Sequence, residues 1–79
     1  MTSSDEKDIE LTVRETPAAV FVIACRRGTG TSEITFRGLP ATLGTGDVLY
    51  ESPKKVSASG GTFSDWFAPH EVHVYRFLR

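Results

Sequence analysis

The last twenty residues constrain the fold of this 79-residue chain more than any other stretch. A Gly pair at 60–61 opens the segment, an aromatic cluster follows, Pro69 interrupts it, and an alternating run at 71–78 closes it. Gly and Pro mark turns, and a two-residue alternation of apolar and polar side chains is typical of a half-buried strand. The segment therefore predicts two strands joined by a corner at residues 66–69.

The same signals divide the rest of the chain into short strands. Apolar and polar residues alternate over 9–14, and Gly or Pro separates most of the later runs. Ser52-Pro53 is the predicted stop of the fourth strand. We predict seven strands, at residues 9–14, 19–25, 33–37, 47–51, 54–58, 62–65 and 71–78. Residues 1–8 are polar and are expected to be a disordered or expression-derived start, which leaves one domain at 9–79.

Seven short strands at this spacing, with no window for a capped helix, predict an all-β fold: an antiparallel β-sandwich of about seven short strands. Residues 19–25 are apolar on both faces, which predicts a central strand covered on both sides. Lys54 and Lys55 suit an edge strand, because charged edges discourage aggregation. The looser segment at 41–46 has Leu43 as its apolar anchor.

Composition excludes several functional classes. The net charge is −1 and the basic residues are scattered, which argues against a nucleic-acid or a membrane-surface partner. No stretch approaches the roughly 20 apolar residues of a membrane helix. Cys25 is the single cysteine, so no internal disulfide forms, and its apolar surroundings predict a small buried hydrophobe.

The ionisable residues do not form a recognisable catalytic or metal site. Glycoside hydrolysis needs a facing carboxylate pair, and the acidic residues occupy polar strand positions or turns. Asp65 is expected to be structural, accepting backbone N–H bonds at the turn. His70 and His73 should point to opposite faces of the sheet, which argues against a shared metal ion. We therefore predict no catalytic, cofactor-binding or metal-binding residue and no cofactor.

The alternation of the last strand leaves a choice of face. We assign Val72 and Val74 to the core, with Phe21 or Ile23 and the two rings Phe36 and Phe63. The opposite row is then partly exposed and is the candidate interface or sugar-stacking surface. It consists of Trp66, His73, Tyr75 and Phe77. A core or interface role for Trp66 is favoured over a sugar platform, which needs two or three coplanar rings.

The pattern G-x-F-x-D-x-F-x-P at 61–69, followed by V-H-V-Y-R at 72–76, resembles the closing segment of a known domain family. This family is the C-terminal β-sandwich accessory domain of bacterial glycoside hydrolases. The strand and Gly-Leu-Pro turn at 34–40, and Val48-Leu49-Tyr50-Glu51, are similar to earlier family segments in the same order. The resemblance covers nearly the whole chain from Ile9.

The resemblance implies a non-catalytic domain that packs against a catalytic (β/α)8 barrel of the same parent polypeptide and stabilises it. The acid and the nucleophile of such enzymes lie on the barrel, so no catalytic residue carries over to this chain. The alternatives are a carbohydrate-binding module, with sugar stacked on Trp66 and its neighbours, and a protein-interaction β-sandwich.

Overall fold

The computed structural model describes residues 1–51 and 54–79, and it is an all-β sandwich with no helix in that part of the chain. Its strands are β1 (Thr2–Ser3), β2 (Ile9–Glu15), β3 (Ala19–Arg26), β4 (Ser32–Arg37), β5 (Thr45–Leu49), β6 (Lys55–Ser57), β7 (Thr62–Phe67) and β8 (Val72–Leu78). The predicted fold class is confirmed, and the predicted stop at Ser52-Pro53 lies outside the described residues.

The strands form two antiparallel sheets. The smaller sheet has the order β1-β4-β7, and the larger one has the order β2-β3-β8-β5-β6. The strands β3 and β8 therefore lie inside the larger sheet, and β6, with Lys55, is an edge strand as predicted. Each sheet turns one face toward the other, because alternating side chains give every strand an inner and an outer row.

Aromatic rings from both sheets fill the space between them. Phe36 and Phe63 stack with centroids 4.9 Å apart in the smaller sheet, which confirms that these two rings belong to the core. Tyr75 and Phe77 of the larger sheet lie 4.9 and 5.1 Å from Phe63. Leu43 is also buried, as predicted for the anchor of its segment. Among the described residues, these side chains belong to one hydrophobic core cluster.

The predicted face assignment of the last strand is wrong. His73, Tyr75 and Phe77 are 2%, 0% and 0% exposed and point inward, whereas Val72 is 55% exposed and points outward with Val74. The large rings fit inside because β5 presents Gly46 opposite Phe77, and because Asp65 of β7 binds both His73 and Tyr75. These three residues are core residues, and they form no exposed interface.

The predicted placement of Phe21 or Ile23 in the core is also wrong. In β3 the buried residues are Ala19, Val20, Val22, Ala24 and Arg26, while Phe21 and Ile23 are half-buried on the outer side. The predicted central position in the sheet is confirmed, but the described residues cover only the inner face of the strand. Cys25 shares the outer row and is half-buried, so it is not the buried hydrophobe expected from its neighbours.

Two further boundaries differ from the sequence prediction. Thr2 and Ser3 are not frayed: they pair with Arg37 and Phe36 as the edge strand of the smaller sheet. The strand β7 continues to Phe67, so the corner begins two residues later than predicted. With β1 included, the described residues form eight strands. Both differences depend on backbone hydrogen bonds to a neighbouring strand. The amino-acid composition of a segment does not show which backbone groups find such a partner.

Arg26 fixes the turn between β3 and β4 from within the fold. Its side chain is buried, and its guanidinium donates hydrogen bonds to the carbonyl oxygens of Thr29, Gly30 and Phe67. A buried charge is tolerated when its donors find acceptors; both Nη atoms of Arg26 do so, whereas its Nε has no partner among the described residues. The turn is therefore attached to the end of β7.

Candidate functional site

The outward side of the larger sheet carries an apolar surface, which we call the outer face. Most of its apolar side chains are half-buried, and Val72 is more than half exposed. The six central residues are Phe21, Ile23, Cys25, Leu49, Val72 and Val74. Scattered apolar residues are common on protein surfaces, but a contiguous patch of them marks an interaction surface.

Strand register places five of these six residues in two adjacent rows, and Phe21 lies opposite Arg76 in the next row. Ile23 lies directly opposite Val74, and Val74 lies opposite Leu49 on its other side. Cys25 lies opposite Val72 in the neighbouring row. Side chains that are directly opposite on one face of an antiparallel pair lie about 4.5–5.5 Å apart at Cβ, so the members of each row touch, and diagonal neighbours about 7–8 Å apart bring adjacent rows within reach of each other.

Charged residues surround the apolar rows and are mostly paired within the chain. Arg27 binds Glu10, which lies opposite Cys25 in the strand register. Asp47 accepts hydrogen bonds from Lys55 and Arg76. Both bonds, and the one from Lys55 most, lower the pKa of Asp47 below its ordinary value. An apolar centre with a charged rim is the usual anatomy of a docking surface.

A second site candidate, the buried polar cluster, lies inside the sandwich around Asp65. One carboxylate oxygen accepts from the Lys54 ammonium at 2.6 Å and from the Trp66 backbone N–H at 2.9 Å. The other accepts from the Tyr75 hydroxyl at 2.8 Å and contacts His73 Nδ1 at 2.9 Å. Because a carboxylate only accepts, the contact assigns a proton to Nδ1 of His73. All acceptor sites of Asp65 are thus used structurally.

The imidazole of His73 lies between an aromatic ring and three carboxylates. It stacks on Phe67 with centroids 4.0 Å apart. Its Nε2 lies 3.4 Å from Glu71 Oε1 and 3.9 Å from Glu51 Oε2, on the side away from Asp65. Glu71 in turn accepts the backbone N–H of Ala68 at 2.6 Å. These contacts hold the corner between β7 and β8 against the core.

The pKa shifts in the cluster follow from these contacts. Burial raises the pKa of Asp65, but the hydrogen bonds from Lys54, Tyr75 and the Trp66 N–H together outweigh it, and the pKa lies below the ordinary value. Burial is the main cause that raises the pKa of the Tyr75 hydroxyl, and the hydrogen bond to the Asp65 carboxylate raises it further. The folded state therefore holds an ionised Asp65 and a neutral Tyr75.

Among the described residues, the contacts of His73 differ from those in a nucleophile-activating triad. A carboxylate that orients a histidine is one half of a nucleophile-activating triad, but the groups near Nε2 of His73 are the carboxylates of Glu51 and Glu71. The side chains of Asp65 and His73 are only 4% and 3% exposed. Among the described residues, no group of three or more His, Cys, Asp or Glu side chains is arranged to hold a metal ion.

The structure separates Trp66 from the three residues grouped with it by sequence. Trp66 is 57% exposed on the outer side of the smaller sheet, opposite Glu33, whereas His73, Tyr75 and Phe77 lie in the core. No other aromatic side chain of β1, β4 or β7 points outward, because the Phe residues of these strands are buried. A platform of several coplanar rings is therefore absent from this side of the described chain.

Asp65 is structural, as predicted, but its position is different. It accepts the backbone N–H of Trp66, as expected, yet it lies within β7 and links both sheets through Tyr75 and His73. The outer face was missed as a site by the sequence prediction. The apolar run at 19–25 contains the signal, since a strand that is apolar on both sides needs two covers and the described chain supplies one.

No family model, no curated protein and no solved structure matches this chain. Within residues 1–51 and 54–79 there is no helix of the length and hydrophobicity that a membrane span requires.

Proposed function

We propose that this chain is a non-catalytic docking module that covers a hydrophobic flank of a larger domain and stabilises it. One observation carries the proposal: the outer face places Ile23, Val74 and Leu49 side by side on the unpartnered side of a five-stranded sheet. Burying such a surface against a partner yields about 25 cal/mol per Å² of apolar area. The gain stabilises both domains.

The proposed partner is the (β/α)8 barrel of a bacterial glycoside hydrolase on the same polypeptide. The support is the order of motifs, above all the G-x-F-x-D-x-F-x-P pattern at 61–69 and the V-H-V-Y-R strand at 72–76. Three residues of the first pattern are buried in the sandwich, namely Phe63, Asp65 and Phe67. In this proposal hydrolysis takes place on the barrel.

The reading frame that contains this chain tests the identity of the partner. We expect it to encode a barrel of about 250 residues or more. The barrel, expressed separately, should slow the reaction of the Cys25 thiol with a thiol reagent, because Cys25 lies on the outer face. A frame without a barrel, or a barrel that leaves the Cys25 rate unchanged, would contradict the proposed partner.

An assay of the isolated chain tests its lack of catalysis. Aryl glycosides and polysaccharides should not be hydrolysed above the rate in buffer, because His73 and Asp65 are buried and bound to each other. Turnover that disappears in a Glu or Asp variant would contradict the proposal.

A carbohydrate-binding module is the second candidate function, favoured by the 57% exposure of Trp66. The docking proposal expects no change in tryptophan fluorescence when soluble oligosaccharides are added. Trp66 is the only tryptophan, so its signal is unambiguous. A saturable change with one sugar and not with others would favour the carbohydrate-binding function instead.

A further inference from the structure

The outer face is not uniformly apolar, because one of its rows is charged. Register places Arg14 opposite Phe21, Phe21 opposite Arg76, Arg76 opposite Asp47, and Asp47 opposite Lys55. This line crosses all five strands beside the row of Ile23, Val74 and Leu49. We call its four charged members, Arg14, Asp47, Lys55 and Arg76, the basic row.

The basic row has a surplus of positive charge. It holds three cations and one anion, which gives a local net charge of +2, whereas the whole chain has a net charge of −1. Asp47 is shared, since it binds both Lys55 and Arg76. The other ion pair on the outer face, Arg27–Glu10, is matched one to one. The surplus is therefore specific to the basic row.

Two guanidinium groups in the row have donors to spare. Arg14 is exposed and forms no ion pair with the described residues. Arg76 is half-buried and uses one Nη atom for Asp47, which leaves its other Nη atom without a hydrogen bond to the described residues. The guanidinium fork matches the two oxygens of a carboxylate.

We infer that the surface that docks on the outer face is apolar where it meets Ile23 and Val74 and carries carboxylates where it meets Arg14 and Arg76. This inference rests on the proposed docking function of the outer face. It identifies the partner surface by charge complementarity, which fixes the orientation of a docked pair and excludes surfaces of the wrong sign. A second copy of this chain would bring the same positive surplus to the contact, so it is the less suited occupant.

Three helical peptides with one apolar face test the inference on the 79-residue chain. Their flanking positions are Glu in the first peptide, Gln in the second and Lys in the third. We expect the Glu peptide to bind about tenfold more tightly than the other two. It should slow the thiol reaction of Cys25 and shift the backbone amide signals of β3 and β8.

A matched pair of charge reversals assigns the effect to the basic row. Arg14→Glu should weaken binding of the Glu peptide about three- to tenfold and should strengthen binding of the Lys peptide. Arg37→Glu makes the same charge change at an exposed position of the smaller sheet, and should leave both affinities unchanged. Circular dichroism melts of both variants check that each remains folded.

Equal binding of the three peptides, or no protection of Cys25 by the Glu peptide, would overturn the inference. So would dimerisation in sedimentation experiments that protects Cys25 and is unaffected by Arg14→Glu, because a second copy would then be the occupant. The peptides test the chemistry of the face, whereas the reading frame tests the barrel. A failure of one can therefore be distinguished from a failure of the other.

Discussion

The Tyr75 hydroxyl donates a 2.8 Å hydrogen bond to Oδ2 of Asp65, and this bond joins the two sheets inside the sandwich. Tyr75 belongs to β8 of the larger sheet and Asp65 to β7 of the smaller one. The other Asp65 oxygen is bound by Lys54, so the buried carboxylate does not lack a counter-charge. A small sandwich without a disulfide thereby gains a specific link between its layers.

Removal of the Tyr75 hydroxyl should destabilise the fold. In Tyr75→Phe the ring still fills the core, but Asp65 loses a donor in a buried site. Hydrogen bonds to charged groups contribute about 1.5–3 kcal/mol, and we expect a loss of that size in the free energy of unfolding. Urea denaturation measures it. Tyr50→Phe, at a residue that is 91% exposed, is the control and should lie within about 0.5 kcal/mol of the parent chain.

Stability should fall in acid through Asp65. Its pKa in the folded chain lies below the ordinary value of 3.8, so folding favours the ionised form. The resulting stabilisation is complete above the unfolded-state pKa, and it is lost as the pH falls through the lower folded-state pKa. Denaturation at several pH values between about 2 and 6 should show this decline.

Two variants separate this contribution from other carboxylates. Asp65→Asn should be less stable than the parent chain at neutral pH and should show a flatter decline in acid, because the shifted group is gone. Glu33→Gln removes an exposed carboxylate of the smaller sheet and should keep the parent slope. An Asp65→Asn chain with the parent slope would show that Asp65 does not carry the acid dependence.

A methyl group at position 46 should be poorly tolerated. A Cβ on Gly46 would lie 2.5 Å from Cε1 of Phe77, and this ring is fully buried. Overpacking of a core costs about 1–3 kcal/mol, and we expect a loss of that order for Gly46→Ala. Gly44→Ala is the matched control, since a Cβ there meets no atom within 4 Å. Equal melting temperatures for the two variants would show that the Phe77 ring can move aside.

Truncation of Phe36 should come close to unfolding the domain. The ring is fully buried and contacts Phe63, Phe67 and Tyr75 at centroid distances of 4.9, 6.0 and 6.1 Å. Phe36→Ala should therefore cost about 3–5 kcal/mol, a large share of the stability of a small domain. Val72→Ala, at a 55% exposed position, should have a much smaller effect. A cooperative melt unchanged by Phe36→Ala would contradict this description of the core.

The positions of the strands could be predicted from the sequence, and most of their bounds were predicted to within two residues. The strand β3 was predicted at 19–25 and extends over Ala19–Arg26. Turn residues and alternation are patterns within a few adjacent positions, so they can be recognised without knowing which strands pair. The strand β1 was missed because two polar residues carry no alternation, and their pairing with Arg37 and Phe36 is a long-range event.

The choice of faces could not be predicted in the same way, and the candidate site depends on it. Alternation divides β8 into Val72 and Val74 on one side and His73, Tyr75 and Phe77 on the other, and both sides look suited to a core. Gly46 leaves room for the Phe77 ring, and Asp65 binds Tyr75 and His73. These contacts turn the side with the rings toward the core.

The sequence by itself determined that this chain is an antiparallel sandwich, because periodicity and turn residues act within a few positions of each other. It also predicted a central position for β3, because the run at 19–25 is apolar at successive positions. Only the tertiary structure decided which side of β3 and of β8 faces the smaller sheet and which side faces outward. That decision depends on register between strands distant in sequence, and it leaves Ile23 and Val74, rather than Tyr75 and Phe77, on the outer face.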